Sequence, residues 1–89
     1  HYSPGLPIRL NAKNTKDKEA FLLINKKKEA QSNHYYLSKT DNLKEAAKNL
    51  YSVLRKIKNK KYKSIAVAKI PNKGLGKAIN DRLIRASKF

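Results

Sequence analysis

The order of apolar runs in this chain predicts an α/β layered domain with a mostly parallel sheet, arranged β-β-β-α-β-α. Three observations lead there. Ala20-Phe21-Leu22-Leu23-Ile24 is an apolar run too short for a helix and bounded by charge, as expected of a strand buried on both faces. From Leu43 to Ile57 apolar side chains recur at three- and four-residue steps, the period of one helix face. Ser64-Ile65-Ala66-Val67-Ala68-Lys69-Ile70 follows as a small, β-branched run. Strand, crossover helix, strand then implies a parallel pairing of the third and fourth strands through a right-handed connection.

The elements can be justified in chain order. Residues 1–7 hold two of the three prolines with Gly5 between them, which excludes helix and reads as the end of a linker. The chain opens on His1 rather than Met, so it is expected to be cut from something longer. The domain is expected over 8–89. Ile8-Arg9-Leu10 alternates apolar and polar and predicts a short first strand before the polar run Asn11 to Lys18. After the second strand, Asn33 to Ser38 is a third candidate, because aromatic residues fit a pleated surface. Tyr35 and Tyr36 should point to opposite faces of it.

Asp41 or Asn42 can cap the helix that follows, and Glu45, three residues past Asn42, can reach back to the cap nitrogen. Leu43, Ala46, Ala47, Leu50, Tyr51, Leu54 and Ile57 mark its apolar face. Like charges crowd Lys56 to Lys63 and should end the helix. Pro71 closes the fourth strand, Pro71 to Gly76 forms a tight loop, and Leu75, Ala78, Ile79, Leu83 and Ala86 mark a last helix. On that helix Asp81 and Arg85 stand four apart and can pair.

Composition limits the function. The 89 residues suit one small domain, and with no Cys there is no disulfide framework, zinc ribbon or thiol nucleophile. A reducing cytoplasm is the expected location. No stretch approaches the ~20 apolar residues of a membrane span. The 22 Lys and Arg against 6 Asp and Glu give +16, a field that attracts nucleic-acid phosphates. Eighteen of the basic residues are Lys, and nine Asn and seven Ile accompany them, a mixture that A/T-rich coding alone would also produce. A small basic module binding tRNA, with Lys and Tyr35 or Tyr36 as contacts, is therefore one functional reading.

Gly74-Leu75-Gly76 lies between a strand and a helix N-terminus, where an anion such as a nucleotide phosphate could sit. The position three after Gly76 is Ile79, so the dinucleotide fingerprint is not met, and the glycines equally serve a sharp turn and close packing. His1 and His34 are far apart without other ligands, which argues against a metal site. The scattered carboxylates assemble no catalytic constellation.

Three ordered blocks resemble one family. His1-Tyr2-Ser3-Pro4-Gly5-Leu6-Pro7-Ile8-Arg9-Leu10-Asn11 is similar to the H-Y-(A/S)-P linker end and first strand of the long form of threonylcarbamoyl-AMP synthase. Ala46 to Arg55 resembles the A-x-N-L-(F/Y)-x-x-L-R helix of its C-terminal accessory domain. Ile70 to Ala86 resembles its final P-x-x-G-L-G-x-A-I-x-(D/N)-R-L-x-R-A segment.

The resemblance implies a Rossmann-like accessory domain. The parent enzyme combines L-threonine, bicarbonate and ATP, with Mg, into threonylcarbamoyl-adenylate for tRNA modification. That chemistry belongs to a preceding YrdC-like catalytic domain, which this chain lacks, so no catalytic residue, cofactor contact or metal ligand is carried onto it. What the resemblance carries over is the linker end: His1, Tyr2 and Pro4 match the stretch that helps enclose the substrates. Gly74, Leu75 and Gly76 are the candidate anion or docking loop, and Asn49, Arg55, Asn80 and Arg82 are the candidate docking positions on the helices.

Overall fold

The computed structural model describes residues 5–26 and 31–87. Its elements run β1 (Ile8–Arg9), β2 (Glu19–Leu23), β3 (His34–Tyr36), α1 (Leu43–Lys58), β4 (Ser64–Val67) and α2 (Leu75–Ala86), the order expected. All four strands join one parallel sheet, in the spatial order β1-β4-β2-β3.

That order corrects one expectation. β3 and β4 are parallel but not neighbours, because β2 lies between them. β2 is buried along its whole length, with Ala20 and Leu22 in the main core and Phe21 and Leu23 on the opposite face, and such a strand needs partners on both edges. The three-residue, half-buried β3 takes the outside position instead. The 16 residues of α1 reach about 24 Å, ample to carry the chain across two strand spacings of about 4.8 Å each.

Both helices cover one face of the sheet. Ala46, Leu50, Leu54 and Ile57 of α1 and Ile79, Leu83 and Ala86 of α2 close on Ala20, Leu22, Ile65 and Val67. The other face holds a smaller cluster of Phe21, Leu23 and Ala66, capped by Ala12 from the β1–β2 loop. Leu6 packs on the main core, and the Pro7 carbonyl accepts from the Ile65 amide at 2.9 Å. Tyr35 and Tyr36 do face opposite sides: the first packs against the main core and the second against the smaller cluster.

The start of α1 refines another expectation. Asn42 is the N-cap, its Oδ1 accepting from the Lys44 and Glu45 amides at 2.8 and 3.1 Å. Glu45 does not return to the cap nitrogen. Its Oε1 accepts from Ser38 Oγ at 2.6 Å and from the Lys39 amide at 2.8 Å, while the Asn42 amide donates to Ser38 Oγ. Asp41, with φ +57°, turns the chain so that Ser38, rather than the cap backbone, meets the carboxylate. These hydrogen bonds hold the Glu45 carboxyl below its ordinary range, those from Ser38 and Lys39 foremost. Asn42→Ala is expected to cost about 1 kcal/mol of stability, measured by urea unfolding, because two first-turn amides lose their acceptor.

Two details of α2 also depart from expectation. Leu75 is 47% exposed rather than part of the apolar face, since it precedes the buried Gly76 at the outer side of the first turn. Asp81 pairs with Lys77 at 3.0 Å, four residues before it, rather than with Arg85, four residues after it.

Candidate functional site

The carboxyl ends of parallel strands all open on the same edge of a sheet, and here the chain leaves that edge in two directions. β4 leads toward α2 on the helical face, whereas β1 leads into a loop whose Ala12 covers the opposite face. Divergence of this kind leaves a crevice between the strand ends. It measures about 490 Å³ and is lined by Ala12 and Lys13 after β1, Leu23 to Lys26 from the end of β2, Ala68 and Lys69 after β4, and Asp41 ahead of α1. The Ala12 amide donates to the Val67 carbonyl and the Ala68 amide to the Leu22 carbonyl, both at 2.9 Å, which fixes its walls. None of these lining residues was singled out from sequence as a functional residue; Asp41 was named only as a candidate helix cap.

At the opposite edge lies the best-satisfied charge in the fold. Glu19, 2% exposed, receives Arg9 Nη2 on Oε1 at 2.9 Å and Arg9 Nε on Oε2 at 3.1 Å. The Lys16 amide and Ser64 Oγ complete it, each at 2.8 Å. The hydrogen bonds from Arg9 lead in lowering its pKa to about 2, against the opposing effect of burial. The arrangement joins β1, β2 and β4 and has no open coordination for a substrate. It is structural.

Gly74, Leu75 and Gly76 form the entry to α2. Gly74 has φ +57° and ψ −132°, a conformation that L residues avoid. Gly76 sits against the Pro71 carbonyl with no room for a side chain. An anion at this helix start would compete for amides already used, since Gly76 and Lys77 both donate to the Lys73 carbonyl at 3.1 and 3.4 Å.

The helix positions divide by environment. Asn49 Nδ2 donates to the Leu37 carbonyl at 2.9 Å, and Asn80 Nδ2 to the Ile70 carbonyl at 3.0 Å and to Asn72 Oδ1 at 3.3 Å. Each asparagine thus ties its helix to the chain leaving a strand. Arg55 is exposed and Arg82 half-buried. His1, Tyr2 and Pro4 lie outside the described residues.

The aromatic candidates for base contact are engaged within the fold. The Tyr35 ring meets Tyr62 edge-on at 5.9 Å with their hydroxyls 3.2 Å apart, and burial, then that hydrogen bond, push Tyr35 up to about 12. Tyr36 meets His34 edge-on at 6.3 Å, and His34 meets Phe21 at 5.3 Å. His34 Nδ1 and the Tyr36 hydroxyl are buried without a hydrogen-bond partner. Among the described residues no group of three His, Cys, Asp or Glu could hold a metal ion, and no helix is long and apolar enough to cross a membrane.

The comparisons with known proteins agree with the three sequence blocks. A family model described as the threonylcarbamoyl-AMP synthase C-terminal domain matches residues 1–88. No curated protein and no solved structure gives a match. With the match covering nearly the whole chain, and the β-β-β-α-β-α parallel fold in agreement, this chain belongs to the family of threonylcarbamoyl-AMP synthase C-terminal domains.

Proposed function

We propose that the chain is the non-catalytic accessory domain of a threonylcarbamoyl-AMP synthase, docking on the YrdC-like catalytic domain and closing it over threonine, ATP and the adenylate product. The observation that carries this reading is the family match over residues 1–88 to the C-terminal domain of that synthase. The ATP site belongs to that other domain, and no residue here is assigned to it. Closure would serve the chemistry by excluding water, because a carbamoyl-adenylate hydrolyses readily.

The fold offers a contact for such docking. Among the described residues, Leu75 at the glycine-flanked start of α2 is 47% exposed and Ile84 is 42% exposed; nine residues apart, they stand on opposite sides of the helix, and Leu75 is the contact assigned here. A leucine held on a rigid turn costs little entropy to immobilise on a partner. The N-terminal residues that resemble the linker end would enter the same interface.

The test is pyrophosphate release from ATP with threonine and bicarbonate. The matching catalytic domain would be assayed alone, with this chain added, and fused to it. Fusion is expected to raise turnover or prolong the adenylate, and Leu75→Asp to reverse the gain. Identical kinetics in all three arms would refute the accessory role.

A basic tRNA-binding surface is a second reading, favoured by the exposure of Lys56, Lys60, Lys61 and Lys63 around the end of α1. It requires tRNA affinity to fall steeply as salt rises. Undetectable binding at low salt would end it.

A further inference from the structure

We propose that the crevice at the carboxyl edge of the sheet binds a phosphate-bearing ligand of mononucleotide size. This site is separate from the docking surface around Leu75 and does not depend on the accessory role.

Four observations support it. The crevice sits where the connections of neighbouring β1 and β4 part to opposite faces, the position at which open parallel sheets take ligands. Its volume of about 490 Å³ falls within the range of small-molecule sites, roughly 300–1,000 Å³. Its floor is apolar, with Ala12 at 6% and Leu23 at 2% exposure and Ala68 beside them, a surface suited to the flat face of a ring. Among the described residues its rim carries Lys13, Lys26 and Lys69 against the carboxylate of Asp41.

The lysines are not serving the fold. The ion pairs Arg9–Glu19 and Lys77–Asp81 do not involve Lys13, Lys26 or Lys69, so among the described residues no carboxylate is paired with the three ammonium groups that line the crevice. Each is exposed, and each extends from a backbone position fixed by the end of a strand. Such an arrangement favours a multivalent anion over a single carboxylate. Asp41 offers an acceptor for a sugar hydroxyl on the side nearest α1.

The backbone agrees. Among the described residues Asn11 (φ +56°) adjoins the crevice wall and Asp41 (φ +57°) lines it; both are residue types that accept the left-handed conformation, and it turns the chain at the edge of the crevice.

The experiment uses the 89-residue chain with ADP and, separately, inorganic pyrophosphate as probes, read by amide shifts. Saturable shifts are expected at residues 12–13, 23–26 and 68–69, with ADP perturbing Leu23 and Ala68 more than pyrophosphate does. Lys13→Ala with Lys69→Ala should weaken ADP binding about tenfold, the loss expected from removing two charge-assisted contacts. The charge-matched Lys60→Ala with Lys61→Ala should change it less than about twofold. Shifts concentrated at residues 56–63, or equal losses in both double variants, would mean diffuse attraction to a basic surface and overturn the proposal. Equal effects of pyrophosphate and ADP at Leu23 and Ala68 would overturn its nucleotide-sized part. Inactivity of the domain in the pyrophosphate-release assay would leave these shifts unaffected, so the two readings fail separately.

Discussion

Gly76→Ala is expected to lower the stability of the domain by about 3 kcal/mol, seen as a fall in the urea midpoint at unchanged slope. Alanine for glycine inside a helix ordinarily gains about 1 kcal/mol, so the predicted sign is the reverse of the usual one. The reason is proximity. A Cβ at residue 76 would overlap the Pro71 carbonyl oxygen and stand 3.0 Å from its carbonyl carbon and 3.4 Å from Ile70 Cγ2. The obstacle is backbone, and its neighbours are fixed, because the Ile70 carbonyl is held by Asn80 Nδ2. The first turn of α2 would have to move off the sheet, withdrawing Ile79 and Leu83 from the core. A midpoint equal to or above that of the parent would show that the loop yields freely, contrary to this account.

Glu19→Gln carries the second large effect, about 2–3 kcal/mol at neutral pH. The amide keeps the volume but presents donors to Arg9, Ser64 or the Lys16 amide, all of which donate to the carboxylate. The pH profile separates this charge from mere packing. Native Glu19 titrates near 2 against an ordinary 4.5, so above about pH 5 both folded and unfolded chains are ionised and the stabilisation is complete. As the pH falls below 4.5 the unfolded chain takes up the proton first, and stability declines until the native carboxyl protonates near 2. A shift of that size corresponds to at most about 3–4 kcal/mol, reduced by solvent screening because the Arg9 side chain is 36% exposed. The parent chain should therefore lose stability between pH 4.5 and 2, and Glu19→Gln should lose distinctly less. Some slope will remain in the variant, since Glu45 is also held below its ordinary range. Parallel acid profiles for the two proteins would contradict the assignment.

What could be read in advance follows the range of the forces involved. α1 was legible because a 3.6-residue period and an Asx cap are local patterns, and its buried residues Ala46, Leu50, Leu54 and Ile57 are among those the period marks. The continuous burial of β2 was legible from an unbroken apolar run. Sheet order was not, because nothing local to β3 and β4 says that β2 will lie between them. Glu19 looked like one of the charges bounding a strand; its partners stand ten and forty-five residues away. Asn49 and Asn80 were noticed as motif positions. Their structural duty also had a physical signal, since asparagine in mid-helix is unfavourable unless its amide finds a partner. The crevice was hidden for a simpler reason. It is assembled from the ends of separate strands, none of which carries a motif of its own.

The place of β4 bears on how the chain acquires its structure. β1 pairs with β4 alone, and β2 meets β1 only through β4. The strand that completes the sheet is thus the last to leave the ribosome, more than forty residues after β2. An N-terminal fragment ending at residue 63 could not form the sheet as a smaller version of itself, because β1 would have no neighbour. Closing such distant segments carries a chain-entropy cost before any pairing repays it. Emerging chains should accordingly stay protease-sensitive until residues 64–67 are available, and the finished domain should unfold in one step rather than fray strand by strand.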